Sequence, residues 1–252
     1  MSLIISPLQQ LMAKDKDAEC RKLYSTIQRN AERILQLVNQ LMDIRKIDKG
    51  QMSLMFKKAE IVSFTRDLLE TFEQQTRVKK LDLKFHTSAP EIEMWIDPKN
   101  FDKIILNLLS NACKFTPENG QVEISLSTGE DTHLPQNAPL RRYVELTVAD
   151  SGIGIASTER EHIFERFYQI RNSQNNSNIG TGIGLHLTRS LVELHYGNIH
   201  VEDNGEGRPG SRFIIRLPLG NGHLKKEEIE EATTADTLIN IPAAEPATIA
   251  PP

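Results

Sequence analysis

Over residues 97–117 the apolar positions Phe101, Ile104, Ile105, Leu108, Leu109, Ala112 and Cys113 recur at steps of three and four residues. That spacing predicts a helix with one buried face, capped by Asp97, opened by Pro98 and closed before Pro117. At about 100° per residue, Asn107, Asn111 and Lys114 share a stripe on the opposite side. Asparagine prefers caps and turns to helix interiors, so two of them one turn apart call for a reason. Amide oxygens suit a hard cation and its phosphates, with Lys114 adding a point charge. Taken alone, the stripe reads more simply as a solvated helix face.

The same periodicity places the other elements. Residues 3–12 are helical, with Pro7 in the early turns. Leu23, Ile27, Asn30, Ile34, Leu37, Leu41 and Ile44 then alternate four- and three-residue steps, the spacing of a coiled-coil seam. A hairpin of two such helices has too little material to close its own core. It is expected to pair with a second copy as a dimeric four-helix bundle. Gly50 ends the pattern. Strand alternation follows at Met52, Leu54 and Phe56, then a helix over 61–77, then strands at 81–85 and Glu93–Ile96. Val122, Ile124 and Leu126 face Val144, Leu146 and Val148 in a hairpin across the turn-rich stretch 128–140. Residues 158–167 read as a short helix and 172–178 as a mobile polar loop. A helix from 184 to 195 and strands at 199–201 and 213–217, around a turn at 205–210, complete the set. Antiparallel hairpins with helices covering one sheet face make the fold class α+β, a two-layer sandwich. Residues 1–49 form the hairpin, 50–219 the sandwich and 220–252 a tail. In that tail an acidic helix-like stretch, 224–232, precedes an Ala/Thr/Pro-rich disordered end.

Composition narrows the function classes. With 38% hydrophobic and 25% charged residues among 252, the chain is a globular protein of ordinary core size. A net charge of -4 without a dense basic run excludes a nucleic-acid surface, since Lys79-Lys80 and Lys225-Lys226 are isolated pairs. Two cysteines, Cys20 and Cys113, make no disulfide framework and point to a reducing compartment. The histidines show no metal-ligand spacing with cysteine. Neither a secretory signal nor a membrane-length apolar run is visible. The chain opens inside an apolar helical pattern and ends in a linker-like tail, so it reads as a piece of something longer.

Two glycine loops change the reading of the amide stripe. A strand that ends in Asp150 and turns through Gly152 and Gly154 sets one carboxylate at a pocket wall and lets backbone pass beside a flat ligand. An acceptor there suits an exocyclic amine. Gly180, Gly182 and Gly184, just before a helix, offer free N–H groups and a positive helix end to a polyphosphate. Each loop alone also reads as a tight turn.

Together, N-L-L-S-N-A-C-K-F at 107–115, D-S-G-I-G at 150–154, I-F-E-R-F at 163–167 and G-T-G-I-G-L at 180–185 resemble, in order and spacing, the N, G1, F and G2 boxes of the sensor histidine kinases, members of the GHKL class with its Bergerat-type sandwich. The resemblance covers about residues 51–218, and the preceding hairpin is similar to the dimerisation and histidine-phosphotransfer module of those kinases. It implies ATP and Mg²⁺. By this resemblance Asp150 would accept from the adenine amino group, with Gly152, Gly154 and Ile155 shaping the pocket and the Ser211 hydroxyl near the adenine edge. Asn111, supported by Asn107, would hold Mg²⁺, and Lys114 would contact the phosphates. Phe164 and Phe167 would anchor a lid that Gly180, Thr181, Gly182, Gly184 and Leu185 close over the triphosphate. The implied reaction moves the γ-phosphoryl group to a histidine on the dimerisation helix for relay to a receiver aspartate. The implied setting is a cytoplasmic homodimer whose partner is the receiver domain of a response regulator, with no membrane contact by this chain; the tail resembles the linkers of hybrid kinases.

The chain departs from the family pattern in two places. Gln169 stands where an arginine often follows the F box, leaving Arg166 or Arg171 to meet the γ-phosphate. The first histidine is His86, on an expected strand, so the phosphoacceptor box is missing. Hydrolytic relatives usually carry Glu at the position of Asn107, and an amide cannot serve as general base. That favours phosphoryl transfer over a GHKL-type ATPase; a non-catalytic dimerisation module is the other alternative.

Overall fold

The computed structural model describes residues 2–15, 17–170, 181–205 and 207–230. A helical hairpin leads, formed by α1 (Ser2–Lys14) and α2 (Ala18–Asp48). Asp17 starts α2 by accepting from the Glu19 N–H at 2.8 Å. Leu8 and Ala31 are buried, but the seam residues Leu23, Ile27, Ile34 and Leu41 remain 44–63% exposed. Leu37 is half-buried, and at the far end of the seam Ile44 enters the core of the following domain.

That domain contains β1 (Lys57–Glu60), α3 (Ile61–Glu70), α4 (Glu73–Lys79), β2 (Asp82–Thr87), β3 (Glu93–Ile96), α5 (Pro98–Phe115), β4 (Gln121–Glu130), β5 (Arg142–Asp150), α6 (Gly184–Leu194), β6 (Asn198–Asp203) and β7 (Ser211–Pro218). A five-stranded sheet runs β2-β4-β5-β7-β6, while β1 and β3 pair separately. Among the described strand pairs, β2–β4 alone is parallel. Ile124 lies opposite Val148, which lies opposite Phe213, so one sheet face is a continuous apolar layer. A one-residue slip would turn that layer to solvent, which fixes the register. Helices α3, α5 and α6 contribute Ile61, Leu108 and Leu191 to the same core, making the expected two-layer α+β sandwich. Among the described residues, no helix is long and apolar enough to cross a membrane.

Four local expectations are corrected. Met52, Leu54 and Phe56 alternate inward, yet the strand begins only at Lys57; Phe56 makes an isolated parallel bridge to Ile229 instead. The helix expected over 61–77 is two helices, because the Thr71 hydroxyl donates to the Leu68 carbonyl (2.6 Å) and competes with the backbone ladder. Residues 158–167 form turns with one 3-10 turn at His162–Phe164, since Phe167 is drawn out of line onto Gly182. Of the acidic stretch 224–232, the described residues, up to 230, hold only a 3-10 turn at Lys226–Glu228, and 231–232 lie outside them. It folds back on the domain: Phe56 N–H donates to the Glu228 carbonyl, and Tyr196 donates its hydroxyl proton to the Glu228 carboxylate at 2.8 Å. The loop 172–178 and the tail from 231 lie outside the described residues.

Glu60 caps α3 with its carboxylate, accepting from Val62 and Ser63 N–H groups and also from Ile92 N–H, which ties the helix to the approach of β3. Burial pushes this carboxyl up, but the N–H groups and the Ser63 hydroxyl outweigh it and hold its pKa at about 2. A depressed carboxyl adds stability above its unfolded value, near 4.5, and loses it as pH falls towards 2. Glu60→Gln is expected to cost about 1 kcal/mol at pH 7. In urea titrations the gap from wild type should close between pH 4.5 and 2; a gap constant with pH would contradict this assignment.

Candidate functional site

Both ends of α5 are fixed by side chains. At its start the Asp97 carboxylate accepts from Asn100 N–H at 3.1 Å and Met55 N–H at 3.0 Å. The Asp97 N–H donates to Nε2 of His195, whose Nδ1 donates to the Leu191 carbonyl at 2.7 Å. Burial lowers the pKa of His195, matching the neutral tautomer these bonds require. The apolar face of α5 is buried as its spacing demands.

On the other face, the Asn107 side chain donates from Nδ2 to the Thr188 hydroxyl at 2.7 Å. Its Oδ1 faces Gly184, where an added Cβ would lie 2.3 Å away. Asn107 therefore seats the start of α6 on α5. Asn111, one turn on, is half-buried, and its amide makes no hydrogen bond among the described residues. Lys114 is half-buried with Nζ 4.7 Å from the Phe115 ring centroid. Burial, and then Arg33 of α2, lower its pKa.

The first glycine loop packs on the end of the same helix. Asp150 is 5% exposed. Its Oδ1 accepts from Gly152 N–H at 2.8 Å and its Oδ2 from the Ser211 hydroxyl at 2.6 Å. Burial pushes its pKa up, while these donors pull the other way. A Cβ on Gly152 would stand 2.5 Å from the Phe115 carbonyl oxygen, so only glycine lets the loop lie against α5. Gly154 takes φ +72°, and Ile155 packs half-buried against the core. Ser211 is thus held on Asp150 itself. Two supports escaped the sequence reading: Asn204, which donates to the Asp150 carbonyl at 2.8 Å, and Gly210, whose backbone passes against that carbonyl. The only signal for either was their place in a glycine-rich turn before β7.

The second loop meets the F-box segment. Phe164 is buried and edge-on to Phe213, with the Arg189 guanidinium 5.5 Å from its centroid. Phe167 is 65% exposed, and its N–H donates to the Gly182 carbonyl at 2.9 Å. The two residues take φ +63° and +68°. Thr181 and Leu185 are half-buried, Gly184 opens α6, and Gly180 lies outside the described residues.

Arg171 also lies outside them, and Gln169 is exposed. Arg166 faces the hairpin: it forks onto the Asp48 carboxylate at the end of α2 and donates from Nε to His186 Nε2 at 2.9 Å. A cleft of about 190 Å³ beside it is lined by Leu41, Ile44, Phe167 and Ile183. Lys103 makes a second clamp to α2, 2.8 Å from Asp43. Among the described residues, no group of three or more His, Cys, Asp or Glu side chains could hold a metal ion.

Both glycine loops therefore touch α5, the first at Phe115 and the second at Asn107, with Asn111 between them in sequence. A buried acceptor thus lies against the C-terminal end of α5, and the amides, an ammonium and the N-terminus of α6 lie along the same helix. Residues 96–221 match the family of histidine kinase-, DNA gyrase B- and HSP90-like ATPases. The chain is 37% identical over 221 residues to the sensor histidine kinase TmoS of Ectopseudomonas mendocina, covering 87% of this chain and 21% of that protein. It is 32% identical to histidine kinase P4 of Formosa agariphila, covering 91% of this chain and 16% of that one. Its fold is similar to that of full-length ShkA, crystallised with AMPPNP, at a TM-score of 0.68 and 24% identity over 86% of this chain and 42% of that one. The catalytic domain of the histidine kinase ThkA matches at 0.54 and 25% identity, over 66% of this chain and 99% of that domain. The chain spans 21% or less of the length of these two curated relatives. With half its length, residues 96–221, matched by one family, the chain belongs to the histidine kinase-, DNA gyrase B- and HSP90-like ATPases.

Proposed function

We propose that this chain is the ATP-binding catalytic core of a sensor histidine kinase. The observation that carries the reading is the buried Asp150 carboxylate, fixed by Ser211 and Gly152 beside the helix that bears Asn111 and Lys114. Asp150 accepts from the adenine amino group, and Gly152 and Gly154 bring backbone close to the ring. Lys114 meets the phosphates as a point charge; Phe164 anchors, and Phe167 with Gly182 hinges, the lid. The AMPPNP bound to ShkA supports a nucleotide as ligand.

The donor set fits Mg²⁺ brought in on the phosphates, since that ion keeps most of its waters and takes one or two protein oxygens. Asn111 offers an amide with no other hydrogen bond among the described residues, and Asn107 retains Oδ1 once Nδ2 is given to Thr188. Bound there, the ion would screen charge on the transferring group. No residue at Asn107 can deprotonate water, so the chain's part is to hold ATP in line for an external acceptor. In that transfer the γ-phosphorus gains a bond to an imidazole nitrogen and loses its bond to the β–γ bridging oxygen, releasing ADP.

The exposed seam of α2 fits a second copy of the chain, completing a four-helix bundle. ThkA crystallised with the response regulator TrrA supports a receiver domain as partner, and a need for ATP as phosphoryl donor fits a cytoplasmic setting. Calorimetry of the chain with AMPPNP tests the proposal. Saturable binding is expected, weakened about tenfold or more by Asn111→Ala or by leaving out Mg²⁺. No heat from the wild type overturns it, and steady phosphate release abolished by Asn107→Ala would mark a hydrolase instead.

A further inference from the structure

Lys79 ends α4, far in sequence from either glycine loop and outside every motif discussed above. Its ammonium donates to three backbone carbonyls at the C-terminus of α5: Cys113 at 2.8 Å, Lys114 at 3.1 Å and Thr116 at 3.0 Å. Lysine has three N–H donors, and all three are used on one helix end. The remaining carbonyls there are also accounted for. Ala112 accepts from the Thr116 N–H and hydroxyl, and Pro117 from Gly120 N–H. The Phe115 carbonyl is the one against which Gly152 packs.

A helix C-terminus carries a partial negative charge of about half an electron, concentrated on its last free carbonyls. Here that end lies one turn beyond Asn111 and includes Lys114, the side chains assigned above to the phosphates. Left bare, it would repel a polyanion. We propose that Lys79 is a positioning residue of the nucleotide site: its ammonium neutralises the C-terminus of α5 beneath the phosphates. It touches no substrate and acts through α5. The inference rests on the assignment of Asn111 and Lys114 to the phosphates.

The test is calorimetry of the full chain and its variants with AMPPNP plus Mg²⁺ and, separately, with adenosine. Lys79→Met keeps the stem and removes the charge. It is expected to weaken AMPPNP binding about three- to tenfold while adenosine affinity changes less than about twofold. Lys79→Arg, which keeps charge and donors, is expected to retain AMPPNP affinity within about twofold. Equal losses for the two ligands in Lys79→Met, or no loss for either, would overturn the proposal by reducing Lys79 to a structural cap. If Lys79→Met does not fold, Lys79→Gln, which keeps two N–H donors without the charge, decides on the same terms: a loss confined to AMPPNP supports the proposal, and equal losses or no loss for either ligand overturn it. Lys114→Met separates the two readings. If it leaves AMPPNP affinity unchanged, the phosphate assignment fails whatever Lys79 does.

Discussion

Replacing Asp150 with alanine is expected to lower affinity for ATP by about 100-fold or more, the loss of a charge-assisted hydrogen bond inside a buried site. The carboxylate is buried, and it is aimed by two donors, Gly152 N–H and the Ser211 hydroxyl. Each oxygen keeps a lone pair for an amine. Asp150→Asn separates affinity from folding. Burial raises the folded pKa of Asp150, so its charge costs stability as pH rises above the unfolded value near 3.8. Removing the charge should leave the protein at least as stable at pH 7, because an asparagine can accept from Gly152 and donate to Ser211, whose hydroxyl can turn. It keeps one acceptor oxygen, so a loss of only about tenfold is expected. GTP offers a carbonyl oxygen where ATP offers an amine, and it should not compete with ATP for the wild type. Titration of the three proteins with both nucleotides checks this, and undiminished ATP affinity in Asp150→Ala would place the base elsewhere.

The features legible in the sequence were those set by local periodicity. The face of α5, its start at Asp97 and its end before Pro117, and the β4–β5 hairpin follow from local steps of three and four or of two and from cap and proline signals. What failed was set by distant partners. Nothing near Phe56 announces that its backbone will pair with Ile229, and the acidic stretch after Leu224 is a good local helix until Tyr196 and Phe56 claim Glu228. The site divides in the same way. Asp150 and Gly152 could be read as a turn that presents a carboxylate, and Asn107 and Asn111 as a polar stripe. That Asn107 spends its amide N–H on Thr188, that Ser211 sits on Asp150, and that Lys79 caps α5 are contacts between residues 34 to 81 positions apart. A single sequence has no local signal for such contacts. Charge pairing behaves likewise, since Arg166 looked available for a phosphate and instead meets Asp48.

Gly210 carries the second large effect, on stability. A Cβ added there would lie 1.7 Å from the Asp150 carbonyl oxygen, 2.6 Å from its carbon and 2.9 Å from the Ser151 Cα. All three are main-chain atoms, so no side chain can swing aside. The residue also takes φ +107°, which L side chains rarely adopt. The β5–β7 pairing ends beside it at Ala149 and Arg212, so the clash would part the two strands where they frame Asp150 and Ser211. Gly210→Ala is therefore expected to cost on the order of 3–5 kcal/mol, a large share of the roughly 5–15 kcal/mol that holds a domain of this kind. Gly207 supplies the control, with φ +70° and nothing within 4 Å of an added Cβ. Gly207→Ala bears the backbone penalty alone, about 1 kcal/mol. Urea unfolding of both variants isolates the steric part: a difference of about 2 kcal/mol or more is expected, and equal losses would mean that the close approach of Gly210 to Asp150 does not hold the strands in register.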